Sequence, residues 1–401
     1  MRQFFIYTFV GASIAILELI DSAFANNISI DSICVMSAFA VVYWCINIFC
    51  RAGEYAYNIK LKYETECFIL NIISTTICSI LMILLRNQIP HLYKLTDRQY
   101  ELFSICIFWK AVFLIFSKIE SYFRTYIEIT CQNKHIVISN IIFYVSMIAL
   151  DALVIINHGE CYHLIITTGL ADVITVIYYI IFCRFKFKRP SIKILKECIM
   201  SAKDILIDRV LGKVATVVFN ICASYLGTEL YALHSVGYGI ATNVEEVTNC
   251  CYTYQVVRLK AIENVKDKYE ESKKIAKKIF IPTVLISYVV AAIMLVPMKG
   301  SLNLLDALFI TALYNSQSIL IQLYENHRGY LTSCAATKCL RLGGLFGIIS
   351  RIPIAIISIL TPINIYGFAL GSGLDFLVRG IYYWNESKKI ANNGNRELLT
   401  E

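Results

Sequence analysis

Apolar residues run along this chain in stretches of about 20, the length at which a helix crosses the hydrocarbon core of a bilayer. The stretches predict twelve spans, at roughly 4–24, 32–50, 66–86, 101–122, 136–157, 163–183, 205–226, 231–257, 279–298, 303–324, 335–360 and 363–384. Only six prolines interrupt the chain, and Ile, Leu, Tyr and Phe dominate the runs, which favours long helices over barrel strands. The first run, with Arg2 before it and Ala23-Phe24-Ala25 after it, imitates a secretory signal. It is too long for one, and Glu18 and Asp21 interrupt it, so it reads as the first membrane helix.

Composition agrees with the pattern. Of 401 residues, 57% are hydrophobic and 16% charged, with a mean hydropathy of +0.62, which excludes a soluble protein of this size. Backbone groups in lipid must pair internally, so the fold class is an all-α polytopic membrane protein. The net charge of +8 is a matter of topology. Alternate connections hold 28 Lys and Arg against 4 (Arg86, Lys94, Arg98 and Lys299), and such residues are retained on the cytoplasmic side. Both termini are therefore expected in the cytoplasm, in a bacterial cell membrane, with the lipid bilayer as partner and no nucleic acid. The 15 cysteines form no C-x-x-C motif and read as small buried hydrophobes. The Lys/Glu-rich stretch after Lys260 reads as a solvated connector with i,i+4 pairs such as Glu270–Lys274.

The chain also repeats itself. "NNISIDSICVMS" (26–37) aligns with "SYLGTELYALHS" (224–235), placing Asp31 on Glu229 and Ser37 on Ser235. "TYIEITCQNK" (125–134) aligns with "GYLTSCAATK" (329–338), matching Tyr126 to Tyr330 and Lys134 to Lys338, and "GLAD" with "SGLD" places Asp172 on Asp375. Three segments in one order at nearly constant offset predict a duplicated six-helix unit. The lobes, 1–188 and 204–401 about a cytoplasmic linker at 189–203, would be related by a pseudo-two-fold axis along the membrane normal. A monomer is expected.

These segments carry a resemblance to a family. "LIDSAFANNISIDSICVMSAF" is similar to the first-helix segment of the multidrug and toxic compound extrusion (MATE) family, in which Asp-Thr is followed by a small-residue turn and an Ala-Ser-rich second helix. "YLGTELYALHSVGYGI" looks like its eighth-helix entry, and "SCAATK" and "ITCQNK" occupy the places of its Gly-rich turns. The resemblance covers nearly the whole chain and implies a secondary antiporter of twelve helices. In that family the first-lobe ion site uses an Asp on the first helix with an Asn and an Asp on the fifth. Asp21 and Asp151 match two of these, and Met147 stands at the Asn position. The helix-1 proline of many members is absent, and the acids that one branch carries on helices 7 and 10 correspond to Gly212 and Gln317.

Ionisable groups inside a span cost about 2.5 to 3.5 kcal/mol each at the bilayer centre, so several in one lobe need a reason. Asp21, Asp151 and Asp172 are the candidate ion-coupling acids, able to carry a proton or, at Asp21 and Asp151, to cage Na+, with the Thr175 hydroxyl as a further ligand. Lys213 and the pair Glu245 and Glu246 lie at similar estimated depths and are candidates for an ion pair lining a substrate cavity. Tyr252, Tyr254, Tyr314 and Gln317 could add stacking and hydrogen bonds to an amphipathic substrate. Arg379, four residues after Asp375, should pair with it. No P-loop, H-E-x-x-H or nucleophile elbow is present, so neither enzyme nor cofactor is expected. The function expected is H+- or Na+-coupled export of an organic, peptide or lipid-like substrate by alternating access. A flippase for a lipid-linked oligosaccharide is the alternative, for which Lys110, Lys213 and Arg351 would serve a pyrophosphate. A non-transporting scaffold or receptor is a third reading.

Overall fold

The computed structural model describes residues 20, 22–59, 63–130, 133–183, 185–259, 262–334 and 336–393. Every regular element described is helical: α1 (22–28), α2 (Ile30–Cys50), α3 (Ala52–Ile59), α4 (Glu64–Leu85), α5 (Asp97–Ile129), α6 (Asn133–Ile156), α7 (Cys161–Phe182), α8 (Ile192–Ser224), α9 (Thr228–Leu259), α10 (Val265–Met298), α11 (Leu304–Asn315), α12 (Ser318–Ser333), α13 (Thr337–Leu360) and α14 (Asn364–Asn393). Eleven of the predicted spans fall on these, with α3 extending the second and α11 and α12 sharing the tenth, while the first, 4–24, lies outside the described residues except at its end. Seven of the described helices, and α11 with α12 taken together, are long and apolar enough to cross a membrane. Their outer faces agree: Ile73, Ile77, Ile80 and Leu84 follow one stripe of α4 and are exposed, a surface suited to lipid and not to water.

Polar caps set where several helices begin. Asn264 accepts from the backbone N–H of Lys266 and Asp267 at the start of α10, Asn303 does the same for Leu305 at α11, and Glu160 and His163 form a reciprocal box at α7. The helices outrun the apolar spans. α5, α8 and α10 have 33, 33 and 34 residues, so charged stretches that read as connections are rigid continuations of helices. The basic segment after Pro190 is helical from Ile192 onward and runs straight into the seventh span. Along the Lys/Glu stretch Glu270 pairs with Lys273 at 3.0 Å and Glu271 with Lys274 at 3.9 Å, an i,i+3 pattern in place of the expected Glu270–Lys274 pair.

The chain divides into two compact units, residues 31–224 and residues 225 onward together with the stretch up to 30. The expected linker at 189–203 thus lies within the first unit. Its tie there is local and polar: the N–H of Lys188 donates to Thr65 Oγ1 at 3.0 Å and that of Ser191 to Glu66 Oε1 at 3.1 Å, at the start of α4. Phe68, Tyr122, Phe123, Tyr126 and Phe185 pack edge to face or tilted beside that joint. In the second unit Tyr324 stacks on Tyr383 at 5.6 Å and Tyr269 packs edge-on against Tyr330 at 5.4 Å, within an apolar core built from α9, α10, α12 and α14. Asn26, in the described end of the first span, donates to the Met298 carbonyl at 2.7 Å in the same unit.

Candidate functional site

The first unit gathers charge around α5. Lys110, Ser117 and Arg124 recur at seven-residue spacing and Lys118 sits beside them, so one face of the helix carries them all. Asp172 on α7 is buried against this face, with Lys110, Glu120, Lys118 and Ser117 as its electrostatic and hydrogen-bonding neighbours. Lys110 Nζ lies 4.5 Å from the Tyr43 ring centroid and Lys118 Nζ 5.8 Å from the same ring, so the phenol of α2 stands between two buried ammonium groups. Lys118 also donates to Asn47 Oδ1 at 2.5 Å, and Arg124 Nη2 is 2.7 Å from Glu120 Oε1.

Asp151 on α6 is fully buried and accepts a hydrogen bond from the Thr167 hydroxyl of α7. Thr167 and Asp172 are five residues apart, about 140° around the helix, so the two acids look out from different sides of α7. Thr175 is buried and donates to the Ala171 carbonyl at 2.8 Å, a bond within its own helix. Met147, one turn before Asp151, is buried as well. Asp21 lies outside the described residues.

The second unit carries a counterpart. Asp375 on α14 is buried and clasped by Arg379, whose Nη2 donates to Oδ2 at 2.5 Å, with Arg351 Nη1 at 3.9 Å from the same oxygen. Arg351 also donates to the Tyr238 hydroxyl at 3.0 Å. Glu325 on α12, fully buried, is 3.0 Å from Arg328 Nη1, and Glu245 of α9 is within electrostatic reach of it. The Arg328 guanidinium covers the Tyr252 ring at 4.7 Å and the Tyr324 ring at 5.7 Å.

The remaining predicted residues that are described are half-buried or buried. Lys213 is half-buried, its Nζ 4.7 Å from the Trp44 centroid in the first unit, whereas Glu245 belongs to the second. The Glu246 side chain lies outside what is described. Tyr254 is buried in apolar packing, and Tyr314 is enclosed with its hydroxyl 2.7 Å from His234 Nδ1. Gln317, at the break between α11 and α12, donates to the Ala369 carbonyl at 2.6 Å. Sequence reasoning missed Lys118, Glu120, Arg124, Glu325 and Arg328. The signal was present: Glu120 and Glu325 are 205 residues apart and Arg124 and Arg328 are 204 apart, close to the offset of the repeat. Among the described residues, no group of three or more His, Cys, Asp or Glu side chains is placed to hold a metal ion.

No family model matches this sequence, and no curated protein matches it. The fold does match solved structures. An inward-facing multidrug resistance MATE family transporter of the MOP superfamily superposes with a TM-score of 0.73 at 13% identity, over 96% of this chain and 98% of that one. A MOP superfamily transporter from Pyrococcus furiosus, described as having a binding pocket of reverse polarity, gives 0.66 at 15% identity, over 96% and 94%. The lipid II flippase MurJ gives 0.63 at 13% identity, over 97% and 88%. The chain therefore has the twelve-helix, two-lobed fold of MATE transporters, and it is similar in fold to MurJ.

Proposed function

We propose that this chain is a secondary transporter that moves an organic or amphipathic substrate across the membrane by alternating access, driven by protons through the buried acids of its first unit. The observation that carries the reading is Asp172, a buried carboxylate on a membrane helix, with Lys110 and Lys118 within electrostatic reach and Ser117 as its hydrogen-bonding neighbour. Adding one proton there changes the charge of a packed cluster of α2, α5 and α7 by a full unit in a low-dielectric setting. A change of that size can bias two helix arrangements. Ammonium groups repel a bound metal cation, so the surroundings of Asp172 favour a proton over Na+. Asp151, with the Thr167 hydroxyl as its donor, is the second candidate carrier, and Asp21 the third by its sequence match.

Transport by purified protein in liposomes, with imposed pH and Na+ gradients, tests this. A pH gradient should drive uptake of organic cations or amphiphiles, and Asp172→Asn should cut that drive about 10- to 100-fold while the protein stays folded. Equal drive by Na+ alone, or normal pH-driven transport by Asp172→Asn, would sink the reading. The buried cations Lys110, Lys118 and Arg351, on a fold shared with MurJ, favour a second reading: translocation of a lipid-linked anionic sugar. Movement of a fluorescent lipid-linked sugar in the same liposomes, with no transport of organic cations, would select it.

A further inference from the structure

Outside the charged clusters, the second unit has a cleft of about 430 Å³ between α10, α12 and α14. One rim is basic: Lys273 and Lys277 lie one turn apart on α10, and both are exposed. The opposite wall is Trp384 of α14, over whose ring Lys388 Nζ sits at 3.6 Å. The floor is Leu323 and His327 of α12, and His327 Nδ1 is buried with no hydrogen-bond partner among the described residues. Lys273 already faces Glu270 at 3.0 Å, which leaves Lys277 and Lys388 to set the charge at the mouth.

The cleft stands where α10 changes character. After Lys278 the helix carries no charged residue as far as Met298. From the cleft an exposed apolar stripe of Ile281, Leu285, Val289, Ile293 and Val296 descends at helical spacing. A basic mouth opening onto a lipid-facing stripe, with a tryptophan at the boundary, matches an amphipathic anion whose tail lies along the helix. It does not match a free ion, which would have no use for the stripe.

We propose that this cleft binds one anionic glycerophospholipid, its phosphate between Lys277 and Lys388 and one acyl chain along Ile281 and Leu285. The positive-inside rule puts this mouth on the cytoplasmic side, where a basic pocket between membrane helices meets anionic headgroups.

Trp384 supplies the test, because the chain has only three tryptophans. In a Trp44→Phe/Trp109→Phe protein reconstituted in nanodiscs, Trp384 fluorescence is titrated with phosphatidylglycerol or phosphatidylcholine carrying brominated acyl chains. The anionic lipid should quench at about thirtyfold lower mole fraction, the scale of two lysines at an anionic headgroup. Lys277→Gln/Lys388→Gln should erase that preference, while Lys274→Gln, also exposed on α10, should leave it. Native mass spectrometry of the unmodified sequence should show one retained phosphatidylglycerol, lost in the double glutamine variant. Equal quenching by both lipids, or a preference that survives the double variant, overturns the proposal. Displacement by inorganic phosphate at millimolar concentration would point to a free-anion site and overturn it too.

Discussion

The two units hold a buried aspartate at matching places in the repeat, Asp172 and Asp375, and surround it differently. Asp375 is gripped by arginines, Arg379 at 2.5 Å and Arg351 at 3.9 Å. Asp172 has the lysines Lys110 and Lys118 within electrostatic reach, and both also lean on the Tyr43 ring. A guanidinium is planar, permanently charged and able to grip a carboxylate through two N–H groups. An ammonium is a compact point charge on a flexible stem, and it can turn to another acceptor when its partner changes. One unit thus has an arginine clasp on its aspartate where the other has lysines within electrostatic reach and no clasp.

The largest effect should come from the clasp. Asp375→Asn takes the buried carboxylate away from the half-buried Arg379 and weakens the hold on Arg351, and losing one partner of a buried pair costs about 3 to 5 kcal/mol. Thermal unfolding in detergent should show a large drop in Tm or no monodisperse protein; an unchanged Tm would refute the clasp. Asp172→Asn comes next and acts elsewhere. Stability should change little, while pH-driven transport should fall about 10- to 100-fold, the size of an ordinary coupling free energy. Lys118→Arg sharpens the same contrast by giving the first unit an arginine. Folding should be kept and turnover slowed several-fold, so a turnover equal to that of the parent would show that lysine mobility is irrelevant. The smallest effect belongs to the Glu270–Lys273 pair, about half exposed on both sides, where Glu270→Gln should shift stability by no more than about 0.5 kcal/mol in chemical denaturation.

The twelve spans and the duplication were legible because lipid imposes its requirement on every turn of a helix, so the apolar runs record it locally. The Asp375–Arg379 pair was legible for the same reason, since four residues on one helix define a neighbour. The cluster around Asp172 was not. Lys118, Glu120 and Arg124 lie where the apolar run of the fourth span fades, so they read as a cytoplasmic connection, whereas α5 continues to Ile129 and carries them on its inner face. Their partners Asp172, Tyr43 and Asn47 come from α7 and α2, and no spacing along the chain announces contacts between helices. Glu120 and Glu325 could have been recognised together by extending the repeat through charged positions as well as through its motifs.

The length of α10 has a mechanical meaning. Its 34 residues span about 51 Å at 1.5 Å per residue, against a hydrocarbon core of about 30 Å. The charged half continues the apolar half in one helix, with Pro282 just past their junction, and begins at the Asn264 cap. It is a lever arm: any tilt of the buried portion is multiplied into a displacement at Lys266 in proportion to its distance from the pivot. A spin label on Lys266, paired with a second on another element of the same unit, would read internal rearrangements of that unit from outside the bilayer.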